Sequence, residues 1–127
     1  MPEFTLGWVI VYVDDPSAAS AFYQETFGLE GEFDVGEYAQ LDTGATKIGF
    51  ASYELGEKNF PGGVRRAGDQ PANVEITLVT TEVDAAFELA VSAGCTGLAG
   101  PEDKPQGQRV AYVRDPFGTL IELATPL

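Results

Sequence analysis

The sequence predicts an α+β fold made of two tandem βαβββ modules. The same order of elements occurs twice along the 127 residues: a strand rich in β-branched and aromatic residues, a helix, and a strand–turn–strand unit. Hydrophobic residues make up 44% of the chain, which is enough for a folded core. We expect a single domain over residues 1–127, divided into a first module (1–53), a linker loop (54–72) and a second module (73–127).

The elements of the first module follow from local signals. The run GWVIVYV at residues 7–13 is typical of a strand. The next segment, DDPSAASAFYQETFG, favours a helix with Asp15 as its N-cap, Pro16 in its first turn and Gly28 as its C-cap. The stretch EYAQLDTGATKIGFAS then indicates a strand, a turn at DTGA and a second strand.

The second module repeats this order. The run NVEITLVT at residues 73–80 indicates a strand, and EVDAAFELAVSAG at residues 82–94 indicates a helix. The stretch QRVAYVRDPFGTLIELAT predicts a strand, a turn and a strand, while the linker, which contains FPGG, is expected to be irregular. The helical spacing predicts a core-facing stripe made of Ala85, Ala86, Leu89, Ala90 and Ala93.

Overlaying the two halves predicts which side chains share a sheet face. Trp8 falls on Glu75, TKIGFAS falls on TLIELAT so that Gly49 matches Glu122, and Gln40 matches Tyr112. Because side chains alternate along a strand, Ile121 and Leu123 should pack on the helix while Glu122 points to the opposite, inward face. Each module has one helix, so its inward face must be covered by the other module or by another chain. Seven residues are therefore candidates for ligand binding: Trp8, Tyr12, Gln40, Gly49, Glu75, Tyr112 and Glu122.

Composition excludes several classes of function. The formal net charge of −13 disfavours binding to nucleic acid or to an anionic membrane, and favours a cationic or neutral organic ligand. The chain has no histidine, which excludes a Ser-His-Asp triad and every histidine metal ligand. The one cysteine, Cys95, is expected to be a buried structural thiol. The N-terminal segment does not resemble a signal peptide and no apolar run approaches the length of a membrane span, so we expect a cytoplasmic protein.

Three stretches resemble one known family: VYVDDPSAASAFYQETFGLE, VEITLVTTEVDAAFELAVSAG and RVAYVRDPFGTLIEL. Together they are similar to the vicinal oxygen chelate superfamily, which includes glyoxalase I, bleomycin and fosfomycin resistance proteins and extradiol dioxygenases. The DPxGxxxEL turn and strand are the most specific part of the resemblance. It implies two βαβββ modules with curved mixed sheets around a cavity, and a homodimer.

The resemblance also implies where a metal would bind in the catalytic members. Carried over to this chain, the ligand positions are Trp8, Gly49, Glu75 and Glu122, of which only the two glutamates can bind a metal. Such a set is weak for a divalent metal, since zinc takes three or four protein ligands. We therefore expect no cofactor and a cavity that binds a small aromatic or cationic molecule, as in antibiotic resistance proteins.

Three alternative functions remain open. In the first, the protein is a metal-dependent lyase, isomerase or dioxygenase that holds a hard divalent ion with Glu75, Glu122 and Gln40. In the second, Glu75 and Glu122 are a metal-free catalytic acid–base pair with split pKa values. In the third, the chain is a structural partner protein. For Glu122 alone, the alternatives are an ion pair with Arg109 or Arg114, or a residue inherited from an ancestor without a present role.

Overall fold

The first half of the chain forms a four-stranded mixed sheet with one long helix. The computed structural model describes residues 1–127 and divides into two compact units, Met1–Arg66 and Ala67–Leu127. In the first unit the strand order is β1-β4-β3-β2, with β1 parallel to β4 and the other neighbours antiparallel. Its elements are β1 (Trp8–Val13), α1 (Pro16–Phe27), β2 (Glu30–Asp34), β3 (Tyr38–Asp42), β4 (Lys47–Ser52) and α2 (Tyr53–Asn59).

The second unit repeats this topology. Its strand order is β5-β8-β7-β6, again with one parallel neighbour, β5 beside β8. This arrangement confirms the predicted α+β class and the two tandem βαβββ modules. Its elements are β5 (Glu75–Val79), α3 (Val83–Ser92), β6 (Thr96–Asp103), β7 (Arg109–Arg114) and β8 (Leu120–Ala124).

The strand registers of the two units support the overlay made from the sequence. In the first unit Gly49 lies opposite Gln40 of the neighbouring antiparallel strand. In the second unit Glu122 lies opposite Tyr112 in the same way. Gly49 and Glu122 are therefore equivalent positions of the repeat.

Helix α1 begins and ends where the local signals predict. The Asp15 side chain accepts a hydrogen bond from the N–H of Ala18, and Gly28 closes the helix in the left-handed conformation at φ 67°. That conformation carries a steric cost for residues with a Cβ, so glycine suits the position. The helix buries Tyr23 against Phe50 of β4, with ring centroids 5.1 Å apart, and this contact forms the centre of the first core.

Helix α3 packs through a stripe that includes Ala90, as predicted, but not Leu89. Val83 and Ala90 are buried, and the ring of Phe87 packs against Gly97 of β6. Leu89, which the sequence pattern placed in the core, is 52% exposed, so that assignment is wrong. Because the helix is rich in alanine, several stripes had similar hydrophobicity, and the spacing alone did not fix the buried face.

The predicted linker is not irregular throughout. Residues Tyr53–Asn59 form helix α2, whose first turn is capped by the Ser52 side chain accepting from the N–H of Leu55. The assignment of a loop to residues 54–72 is therefore wrong for its first part, because the Ser52 N-cap starts a helix that continues to Asn59. Beyond Phe60 the chain has no helix or strand until Glu75.

Two arginines hold the irregular part of the linker, one in each unit. Arg66 donates to Asp14 at 2.8 Å and lies over the ring of Tyr53, 4.4 Å from its centroid. Arg114 donates to the backbone carbonyls of Gly68 at 2.6 Å and of Asp69 at 3.1 Å. None of the helices has the length and apolar character needed to cross a membrane.

Candidate functional site

In the second unit, Glu122 is the centre of a hydrogen-bonded group on the inward face, the face opposite α3. Strand β8 is flanked by β5 and β7, so Glu122 lies opposite Thr77 on one side and Tyr112 on the other. The Thr77 hydroxyl donates to Oε1 at 2.9 Å, and the Tyr112 hydroxyl donates to Oε2 at 2.8 Å. Each carboxylate oxygen thus has a neutral donor that fixes its orientation.

Glu75 lies on the same face, two residues before Thr77 on β5. Desolvation is the largest cause that raises the pKa of Glu75, and the negative charge of Glu122 is the next. The pKa of Tyr112 is raised to about 12, first because its hydroxyl donates to Glu122 and then by desolvation. The charge of Glu122 is therefore close enough to disfavour the ionisation of Glu75.

No arginine neutralises these two acids. Arg109 donates to Asp84 at 2.9 Å and to Asp103 at 3.1 Å, and Arg114 donates to backbone carbonyls of the linker and of Gly118. The proposed ion pair of Glu122 with either arginine is therefore wrong, because both guanidinium groups have other acceptors.

The turn in DPFGTLIEL sets the position of Glu122. Asp115 is buried, and its side chain accepts from the N–H groups of Phe117 at 2.9 Å and Thr119 at 2.8 Å. Gly118 takes φ 100°, which strongly favours a residue without a Cβ. This turn joins β7 to β8 in the register that brings Glu122 opposite Tyr112.

Cys95 fits the expected structural role. It is 5% exposed. Desolvation and the charge of Asp115 raise the pKa of the thiol to about 11, so almost none of it is thiolate near neutral pH.

In the first unit, the buried side chain of Gln40 is the centre of a different group. Its Oε1 accepts from the indole N–H of Trp8 and from the hydroxyl of Tyr38, each at 2.7 Å. Its Nε2 donates to Glu32 at 2.9 Å. Both ends of the amide are therefore engaged, and the amide orientation is fixed.

Gly49, the counterpart of Glu122, leaves a space that Tyr38 fills. A Cβ on Gly49 would lie 2.1 Å from the Tyr38 hydroxyl oxygen, well inside contact distance. Desolvation, and next the charge of Glu32, raise the pKa of Tyr38, so it stays a hydrogen-bond donor. A phenol thus stands where the second unit has a carboxylate.

Trp8 and Tyr12 both lie on the inward face of β1, but their surroundings differ. Trp8 is 56% exposed, with only its N–H engaged by Gln40. Tyr12 is half-buried against α2, since a Cβ on Gly56 would lie 2.8 Å from its ring. Of these two candidates, Trp8 offers the more open aromatic surface.

The donor set does not fit a zinc site. No group of three or more His, Cys, Asp or Glu side chains is arranged to hold a metal ion. Of the four carried-over positions, Trp8 and Gly49 offer no ligand atom, and the oxygen of nearby Gln40 already accepts two hydrogen bonds. Glu75 and Glu122 alone fall short of the three or four protein ligands that zinc takes.

Three residues of these groups were not on the list of candidates. Strand alternation puts Thr77 on the same face as Glu75, and it puts Tyr38 on the same face as Gln40. Glu32 reaches Gln40 at a register shift between Gly31 and Phe33, which the sequence pattern does not reveal.

Comparisons with known proteins agree on the family. A model of the Glyoxalase/Bleomycin resistance protein/Dioxygenase superfamily matches residues 5–123. Among solved structures, the fold is similar to a glyoxalase-related enzyme from Fulvimarina pelagi (TM-score 0.81, 24% identity, 96% of this chain and 88% of that chain). It is also similar to a glyoxalase/bleomycin resistance protein/dioxygenase family enzyme from Burkholderia phytofirmans PsJN (TM-score 0.75, 26% identity, 96% and 98%).

Curated relatives are longer than this chain. "Putative glyoxylase CFP32" of Mycobacterium bovis is 29% identical over 126 residues, which are 96% of this chain and 44% of that protein. The uncharacterized protein Mb0911c of the same organism is 38% identical over 60 residues, 47% of this chain and 38% of that protein. The chain spans less than half the length of these two relatives. With a family match over nearly all its residues, the chain belongs to the Glyoxalase/Bleomycin resistance protein/Dioxygenase superfamily.

Proposed function

We propose that this protein binds a small cationic or aromatic organic molecule on the inward faces of its modules, without a metal. The observation that carries the proposal is the group formed by Glu75 and Glu122. Neutral hydroxyls orient the Glu122 carboxylate, and neither of the two arginines weighed as its partner pairs with it. An organic cation would supply the missing positive charge.

The electrostatics of the two acids support a cationic ligand. The raised pKa of Glu75 means that its ionised form is disfavoured beside Glu122. A cation that approaches both carboxyl groups removes this repulsion, so its binding and the ionisation of Glu75 favour each other. The formal net charge of −13 would also steer cations toward the protein at low ionic strength.

The proposal extends to the location, the oligomeric state and the class of ligand of the protein. A cytoplasmic homodimer that sequesters an antibiotic would use the same acidic face, and sedimentation equilibrium tests the dimer. The metal-dependent alternative needs ligands beyond Glu75 and Glu122, and no third His, Cys, Asp or Glu joins them.

Calorimetry on chelator-treated protein tests the proposal. We expect 1-methylquinolinium, a flat cation, to bind more tightly than neutral quinoline measured at a pH where quinoline is unprotonated. Glu122→Gln keeps the shape of the side chain but removes its charge, and should weaken binding of the cation about five- to tenfold. Glu88→Gln, at an exposed position on α3, is the matched control and should leave affinity unchanged.

Stabilisation by a metal without binding of an organic ligand would contradict the proposal. If no organic cation or aromatic compound binds, while magnesium or manganese raises the thermal midpoint strongly, the metal-free proposal is wrong. Thermal midpoints of both variants must match the wild type for the affinities to be compared.

A further inference from the structure

Trp8 is held by one edge while much of its surface stays exposed. It is the only tryptophan in the chain. Its indole N–H donates to Gln40 at 2.7 Å, yet the residue is 56% exposed. An exposed tryptophan needs no buried partner for its N–H, because water can satisfy it. The hydrogen bond to Gln40 therefore orients the ring rather than rescuing a buried polar atom.

Gln40 can orient the ring because it is itself fixed. It is 7% exposed, accepts from Tyr38 at 2.7 Å and donates to Glu32 at 2.9 Å. If the amide turned over, its nitrogen would face two donors and its oxygen would face a carboxylate. The amide thus has one favourable orientation, and its oxygen points to the Trp8 N–H.

We infer that Trp8 is a pre-oriented stacking surface for a planar organic cation and that Gln40 is the residue that positions it. The inference rests on the proposed function and adds the shape of the ligand and a positioning residue in the first module. Gln40 acts through Trp8 and not by contact with the ligand. A ring that is already fixed loses less conformational entropy when a ligand stacks on it, and this increases affinity.

Local charges favour a cation as the stacking partner. Lys47 lies opposite Trp8 in the strand register, and its ammonium pairs with both Asp42 and Glu32. These three groups carry one surplus negative charge beside the indole. The indole face is also electron-rich and attracts cations, so a flat cation suits this surface better than a flat anion.

The fluorescence of the free protein tests the positioning role without any ligand. Since Trp8 is the only tryptophan, its anisotropy decay reports on this ring alone. Gln40→Met removes both hydrogen-bonding groups at similar length, and we expect a larger fast component in the decay. Gln106→Met, which removes an exposed amide in the second unit, is the control and should leave the decay unchanged. An unchanged decay in Gln40→Met overturns the positioning role.

Binding of 1-methylquinolinium tests stacking, and a double variant separates positioning from contact. We expect Trp8→Leu to weaken binding about tenfold and Gln40→Met about fivefold. Trp8→Phe keeps an aromatic surface but has no N–H for Gln40. In the Trp8→Phe background, Gln40→Met should therefore have almost no further effect. A fivefold loss that persists there would show that Gln40 touches the ligand directly, and would overturn its role through Trp8.

Other outcomes distinguish this inference from the proposed function. If Trp8→Leu binds the cation as the wild type does while Glu122→Gln does not, the stacking surface is wrong and the proposed function stands. If tetramethylammonium binds as tightly as 1-methylquinolinium, planarity does not matter and stacking is again wrong. If Trp8 emission shifts with protein concentration as the chain self-associates, a second copy covers the ring, which also overturns the inference.

Discussion

Replacing Gly49 with alanine tests whether Tyr38 fills the space of an absent side chain. The new Cβ would lie 2.1 Å from the Tyr38 hydroxyl oxygen and 2.6 Å from Cζ, so the ring must move. The move breaks the hydrogen bond to Gln40, worth about 1 kcal/mol net, and overpacking adds about 1–3 kcal/mol. Reduced entropy of the unfolded chain offsets about 0.4–1 kcal/mol. We expect Gly49→Ala to lower the free energy of unfolding by about 2 kcal/mol.

Urea unfolding followed by circular dichroism measures this effect, and a double variant identifies its cause. In a Tyr38→Ala background the space is already empty, so Gly49→Ala should cost less than about 0.5 kcal/mol. Gly100→Ala on β6, where a Cβ would meet nothing within 4 Å, is the control and should stay within about 0.5 kcal/mol of the wild type. An equal cost of Gly49→Ala with and without Tyr38 would refute the reasoning.

Three further predictions follow from the pKa shifts. Glu75 binds its proton more tightly in the folded state than its ordinary pKa of 4.5 allows, so stability falls as pH rises from 4.5 through the folded value. Unfolding of Glu75→Gln at several pH values should lack this fall, and a wild-type-like fall would contradict the assignment. Tyr112 keeps its proton to about pH 12, so stability also falls above pH 10, where the tyrosine of the unfolded chain ionises. In an absorbance titration, Tyr112→Phe should therefore lack the phenol that ionises near pH 12 in the wild type. Cys95, with its pKa at about 11 instead of 9, should react with iodoacetamide about 100-fold more slowly than in the unfolded chain, from its thiolate fraction alone; equal rates would mean that the thiol is accessible and ionised.

Features set by local sequence were predictable. The helix N-cap at Asp15 and C-cap at Gly28 depend on residues within one turn, so they could be read directly. The equivalence of Gly49 and Glu122 followed from the internal repeat, since strand alternation fixes which positions share a face. The DPFGTLIEL turn was also recognisable, because Asp115 and Gly118 perform local backbone roles.

Contacts that depend on neighbouring strands were not predictable. The filling of the Gly49 space by Tyr38 requires the relative position of β3 and β4 and a rotamer choice. The contact of Glu32 with Gln40 requires a register shift in β2, between Gly31 and Phe33, that the residue pattern does not predict. The assignment of Leu89 to the core of α3 failed for another reason. An alanine-rich helix has little difference in hydrophobicity between its faces, so tertiary packing through Phe87 decided the orientation.

Carboxyl carbon chemical shifts of Glu75 and Glu122 test the central claim most directly. These carbons report on the charge and hydrogen bonding of the two acids during titration of chelator-treated protein with 1-methylquinolinium. Metal-free binding of a cation predicts that both resonances shift together until they saturate. The dissociation constant fitted from these shifts should equal the one measured by calorimetry. Resonances that stay unchanged with the organic cation, but shift on addition of magnesium, would contradict the account.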